Sequence, residues 1–144
     1  MVKKIKAHLL GSIDVKLKII SDKTLLELIR TVSMLTVNCL NNGNKIIFAG
    51  NGGSAADSQH IAAEFVSKLN FDRPALSSIA LTTDSSILTA IGNDYGFENL
   101  FSRQINAIAN KGDIFVGITT SGKSKNILKA FAEAKKKGVI CVGL

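Results

Sequence analysis

Long apolar runs are missing from this sequence of 144 residues. A membrane-spanning helix takes about 20 consecutive apolar residues. The runs at residues 45–50 and 114–118 fall far short of that, so no membrane partner is expected. Cysteine is scarce as well. Cys39 and Cys141 lie in unrelated apolar surroundings with no CxxC spacing, and they read as reduced core thiols rather than a disulfide framework. Repeats, low-complexity tracts and linkers are also absent, so a single domain over residues 1–144 is expected. The basic start, Met1 to Lys6, is followed by neither a continuous apolar core nor a small-residue cleavage site. No signal peptide is therefore expected, and the cytoplasm is the default location.

Acidic residues are in the minority, 11 against 18 Lys and Arg, for a formal net charge of +7. This excess does not make a nucleic-acid footprint. Lys3, Lys4, Lys6, Lys16 and Lys18 are scattered, and Lys135, Lys136 and Lys137 crowd the end of a predicted helix. Cations suit the negative end of a helix dipole. No aromatic residues interleave with the lysines to stack on bases. The charge reads as solvated surface, part of which helps attract an anionic metabolite. Hydrophobic residues make up 46% of the chain, which excludes disorder and supports one core.

Periodicity predicts helices over residues 4–20 and 24–40, the second capped by Ser21 or Asp22 and closed by Gly43. After residue 43 the pattern alternates. Strands are predicted at 45–49, 78–81, 114–118 and 139–142. Helices are predicted at 55–69, 85–91, 98–109 and 125–137, with Arg73-Pro74 and Asn93-Asp94-Tyr95-Gly96 as breaks. Continuous apolar strands separated by helices imply a parallel sheet covered on both faces. Ligands in such folds sit at the carboxyl ends of the strands. The informative loops are therefore 50–54, 82–84 and 119–124.

In the first loop, Gly50, Gly52 and Gly53 let the backbone approach a ligand, beside Asn51 and Ser54. An ordinary turn capped by Ser54 would use the same residues, and this loop alone does not choose between them. The loop at 119–124 is more telling. Thr119, Thr120, Ser121 and Ser124 supply four hydroxyls around Gly122 at a helix N-terminus, where capping needs only Ser124. Residues 117–124 also fit the Walker A spacing, G-x-x-x-x-G-K-[ST]. Gly117 falls inside the predicted strand, however, and no strand ending in a convincing Walker B Asp is present, so no nucleotide cofactor is expected. His60 and Glu64 are four apart on one helix face. Such a pair can move a proton, ligate a metal or form an ordinary surface contact.

Phe48 to Asp57, then Gln59-His60 and Ala63-Glu64, resemble the signature of the phosphoheptose isomerases of the SIS superfamily. So do Leu81-Thr82-Thr83-Asp84, Ile91 to Phe97, Phe101-Ser102-Arg103-Gln104 and Thr120-Ser121-Gly122-Lys123-Ser124. The resemblance implies an SIS fold: α/β, a flavodoxin-like parallel sheet flanked by helices. Two N-terminal helices would occupy residues 1–43 and a sugar-phosphate-binding core residues 44–144. It implies a homotetramer and an aldose–ketose isomerase acting on sedoheptulose 7-phosphate, at the entry to heptose synthesis for lipopolysaccharide or capsule. By resemblance Thr119, Ser121 and Ser124 hold the phosphate with Ser54 nearby. Asn51, Asp94 and Thr120 contact the sugar, Gly52 and Gly53 shape the loop, and Glu64 is a catalytic acid/base. His60 matches a zinc ligand of part of the family, with Glu64 beside it. Lys68 stands where relatives often carry Arg, a poor exchange for any bidentate contact. The family continues through a further strand and a long helix bearing a Gln and a second catalytic histidine. The resemblance thus implies a truncated chain, inactive alone. Two relatives of other function are kept in view: a non-catalytic SIS protein binding the replication initiator, and a sugar-phosphate sensor.

Overall fold

The computed structural model describes residues 1–144. Contacts divide the chain into two compact units, Met1–Leu35 and Thr36–Leu144. The first holds helix α1 (Val2–Ser21) and most of α2 (Lys23–Asn41). Asp22 joins them: its N–H donates to Lys18 and Ile19 carbonyls, ending α1, while its carboxylate accepts from Leu25 N–H at 3.0 Å, starting α2. No residue of α1 is buried, and Leu9, Ile13, Leu17 and Ile20 are all exposed.

The second unit begins with the end of α2, where Gly43 at φ 76° turns the chain into the sheet. Strand β1 (Ile46–Gly50) is followed by α3 (Gly53–Val66), β2 (Ser78–Ala80) and α4 (Ser85–Tyr95). A one-turn 3-10 helix at Phe97–Asn99, α5 (Leu100–Ile108), β3 (Ile114–Ile118), α6 (Lys125–Lys136) and β4 (Ile140–Gly143) complete it. All pairings are parallel, in the order β2-β1-β3-β4. β1 and β3 align over their whole length, Ile46 opposite Ile114 and Gly50 opposite Ile118. This is the expected parallel sheet.

The two faces of the sheet follow from the alternation of side chains along a strand. Ile47 and Ala49 of β1 and Phe115 of β3 point into a core with Leu100, Ile105 and Ile127 from α5 and α6. Phe48 points the other way, towards Phe65 of α3, ring centroids 6.1 Å apart. Phe131 of α6 meets Phe115 edge-on at 5.0 Å, a contact worth about 0.5–1.5 kcal/mol beyond burial. Gly117 is a packing glycine: a Cβ there would come within 2.6 Å of Phe131. It lies inside β3, as predicted from the sequence. Cys39 and Cys141 are free, and burial pushes both thiols up from their ordinary range.

Apart from shifts of one or two residues, three elements differ from expectation. α3 ends at Val66, not 69, because the Arg73 guanidinium takes over its last carbonyls, donating to Glu64 O at 2.7 Å and Phe65 O at 2.8 Å. Lys68 therefore lies beyond the helix. α4 runs on through Asn93, Asp94 and Tyr95, which were expected to turn. Asn99 Nδ2 donates to the Tyr95 carbonyl at 2.5 Å, and the chain leaves the helix only at Gly96, φ 84°. The predicted helix at 98–109 is divided between the 3-10 turn and α5.

Candidate active site

β1 and β3 are neighbours, and the chain moves outwards from them in opposite directions, to β2 and to β4. The loops leaving these two strands thus flank a topological switch point, where open α/β sheets bind ligands. The expected loops at 50–54 and 119–124 are those two.

In the first loop Gly50 has no room for a side chain; a Cβ would sit 2.4 Å from the Ser54 carbonyl oxygen. Gly52, at φ 55°, is the N-cap of α3, a backbone geometry that other residues resist. Ser54 lies inside the helix, so capping is not its task. Asn51 turns its amide onto Asn126 in the first turn of α6. Gln59 Nε2 donates to Thr82 O at 3.0 Å, and Thr82 Oγ1 donates to Ala55 O at 3.3 Å, tying the third loop to α3. Buried Gln104 fixes the same exit by donating to Leu81 O at 3.1 Å.

In the second loop Thr119 Oγ1 and Ser124 Oγ lie 3.1 Å apart, and Ser121 Oγ accepts from Lys123 N–H at 3.2 Å. Gly122 makes the turn at φ 64°. Ser124 is the N-cap of α6, but its side chain makes no capping bond. Ile127 N–H is taken by Asn126 Oδ1 at 2.9 Å, which leaves the N–H groups of Lys125 and Asn126 without a side-chain cap, in a field that favours an anion. The Thr119 and Ser124 hydroxyls lie at a helix start and cap none of its N–H groups, an arrangement open to a phosphate.

Two cavities meet at these loops. One of about 390 Å³ is lined by Gly50, Asn51, Gly52, Thr82 and Phe97 among others. Another of about 230 Å³ is lined by Asn51, Phe97, Glu98, Ser124, Lys125 and Asn126. Asn51 and Phe97 belong to both. The two cavities bring together Asn51, Gly52 and Ser124, and Thr119 joins them through Ser124; Ser54, Thr120 and Ser121 line neither. Glu64, His60 and Asp94 are not among the lining residues. His60 Nε2 is 3.2 Å from Glu64 Oε1, with the His side chain 75% and the Glu side chain 34% exposed. A rise of about 1.5 Å per residue sets Glu64 three turns along α3 from the glycine loop. Asp94 accepts from Asn93 Nδ2 at 2.8 Å in the last turn of α4. No group of three or more His, Cys, Asp or Glu side chains is arranged to hold a metal ion.

Asn126 is the residue that sequence reasoning missed. It is 2% exposed and sits among the loop residues. Its one sequence signal is its place two residues after Ser124.

Comparison with known proteins agrees with the fold. A family model described as SIS domain matches residues 13–144. A phosphoheptose isomerase of Aneurinibacillus thermoaerophilus is 61% identical over 140 residues, covering 97% of this chain and 71% of that one. Phosphoheptose isomerase 2 of Campylobacter jejuni is 60% identical over 140 residues, covering 97% and 70%. Among solved structures, a phosphoheptose isomerase from Francisella tularensis superposes with a TM-score of 0.93 at 37% identity, covering 99% of this chain and 74% of that one. Phosphoheptose isomerase GmhA from Neisseria gonorrhoeae gives 0.88 at 42% identity, covering 98% and 72%.

Proposed function

The chain belongs to the phosphoheptose isomerase family of SIS-domain proteins, and from that premise we propose that it interconverts sedoheptulose 7-phosphate and D-glycero-D-manno-heptose 7-phosphate. The observation that carries the reading is the second loop. Thr119 Oγ1 and Ser124 Oγ lie 3.1 Å apart at the start of α6, where Ser124 caps no N–H, and Thr120 and Ser121 stand exposed on the same loop, beside a glycine turn on the neighbouring strand.

The substrate phosphate would lie on Thr119, Ser121, Ser124 and the first free amides of α6, with Ser54 nearby at the start of α3. Asn51, Asp94 and Thr120 would meet the sugar hydroxyls. The reaction starts from the open chain. A proton leaves C1 of the ketose and returns at C2 of the aldose, and a hydroxyl proton passes from O1 to O2, through an enediol. Glu64 would carry the carbon proton, a task for one carboxylate. Amide and hydroxyl donors would steady the enediolate.

His60 and Glu64 offer two donors to zinc, where catalytic zinc sites take three from protein. Zinc remains a proposal on that pair, and no step is routed through it. Metal analysis of the purified protein and of His60→Ala tests it. A homotetramer is supported by the exposed apolar side chains of α1, such as Leu9, Ile13 and Leu17, and is tested by light scattering. No helix is long and apolar enough to cross a membrane. We place the enzyme in the cytoplasm, at the start of heptose synthesis for lipopolysaccharide or capsule. The test of function is direct: NMR of sedoheptulose 7-phosphate incubated with the full-length protein should show a new aldose phosphate. A chain that binds the sugar phosphate but leaves it unchanged would refute the isomerase reading.

A further inference from the structure

We propose that Asn126 is a positioning residue, which locks the amide of Asn51 and holds the glycine turn after β1 against the helix that carries the phosphate loop. The inference rests on the isomerase reading and adds a residue that acts through another.

Two side chains 75 positions apart form a closed amide pair. Asn51 Nδ2 donates to Asn126 Oδ1 at 2.9 Å, and Asn126 Nδ2 donates to Asn51 Oδ1 at 2.8 Å. Asn126 Oδ1 also accepts from Ile127 N–H at 2.9 Å. A primary amide has two donor hydrogens and two acceptor lone pairs. Asn126 thus has three of its four positions engaged within the protein, at 2% exposure. Half-buried Asn51 has two engaged, which leaves one N–H and one lone pair for a ligand.

The third bond decides the orientation. An amide pair alone could form either way round, because flipping both side chains restores both bonds. Ile127 N–H removes that freedom, since a flipped Asn126 would set its NH2 against another donor. The backbone of α6 therefore dictates which way Asn126 points, and Asn126 dictates which way Asn51 points. The remaining N–H of Asn51 is thereby aimed before any sugar arrives. Such prior alignment matters in catalysis, where a misplacement of about 1 Å can cost about 100-fold. The pair also spans the switch point, so the sugar-contacting turn and the phosphate loop are held in one register.

The test is a double-substitution cycle in the full-length protein: Asn51→Ala, Asn126→Ala and both together, read as kcat and KM for sedoheptulose 7-phosphate. Each single change is expected to lower kcat/KM by about 10- to 100-fold. If Asn126 acts through Asn51, the double variant loses no more than about threefold beyond the worse single. Losses that multiply, or an Asn126→Ala enzyme within about threefold of wild type, would overturn the proposal. Should Asn126→Ala fail to fold, the isosteric Asn126→Asp takes its place in the cycle. It keeps the acceptor for Ile127 and Asn51 but removes the donor to Asn51 Oδ1, and the same pattern is expected. Absent turnover in the wild type would refute the isomerase reading and not this one. The clamp is then read by NMR without ligand: the Asn51 side-chain NH2 should be protected from exchange in the wild type and unprotected once Asn126 is changed. Equal protection in both would contradict it.

Discussion

At the N-terminal end of the sheet, Asp113 is 1% exposed and accepts from Lys45 N–H at 3.0 Å, Lys45 Nζ at 2.6 Å and Asn110 N–H at 2.8 Å. At the C-terminal end, Thr120 and Ser121 stand exposed and Ser124 occupies a cap position without capping. Both ends join strand to neighbouring backbone with a glycine and polar side chains. Asp113 closes its hydrogen bonds internally, while Ser78 Oγ at the same end of the sheet is buried without a partner; the loop at the other end leaves donors over. Internal closure is what an unsatisfied buried group would otherwise cost the fold. Donors left over at a helix start are available to a ligand. Stability and binding are thus assigned to opposite ends of the same four strands.

The comparison is broken most severely by Asp113→Ala. It leaves Lys45 with an unpaired charge and two backbone N–H groups without acceptors. The loss should be about 3 kcal/mol, the low end for breaking a buried ion pair because Lys45 is partly exposed. Urea unfolding measures it, and KM should hold. A changed KM with unchanged stability would reverse the assignment of the two ends. Next comes Glu64→Gln, which keeps size and polarity but removes the base. A fall in kcat of at least about 100-fold is expected, with little change in affinity. Near-normal turnover would return His60 and Glu64 to the status of an exposed helical pair.

Ser121→Ala sharpens the contrast from the other end. Losing one charge-assisted bond should weaken sugar-phosphate binding by about 1–3 kcal/mol, by calorimetry, with the melting temperature nearly unmoved. The smallest effect is expected at Lys123, which is exposed on the same loop. Lys123→Ala should cost binding less than about 1 kcal/mol, as befits a solvated charge. A larger loss would mean that the lysine, rather than the hydroxyls, anchors the phosphate.

Much of the fold could be read along the chain, for reasons visible in particular elements. β3 falls on Ile114–Ile118 as expected because its apolar run is bounded by Asp113 and Thr119. The end of α3 was misplaced because Arg73, seven positions beyond Val66, satisfies its carbonyls through space. Asp94 was expected in a turn because Asn, Asp and Gly cluster there, but the Asn99 side chain holds the helix together. Within the site, the hydroxyl loop announced itself by having more donors than a cap needs. Glu64 was assigned by resemblance, and its place on α3 gives no independent sign of a base. Asn126 was illegible. A lone Asn in a helix has meaning only once the sheet sets β1 beside β3.

The most direct measurement is a calorimetric titration of the full chain and of Ser121→Ala with sedoheptulose 7-phosphate, and of the full chain and of Lys123→Ala with Mg-ATP. If the leftover donors at the C-terminal strand ends form a sugar-phosphate site, the full chain binds the sugar phosphate and Ser121→Ala binds it about 5- to 150-fold more weakly. Mg-ATP then gives no comparable heat. Tighter binding of Mg-ATP, abolished by Lys123→Ala, would contradict the account and make residues 117–124 a nucleotide loop.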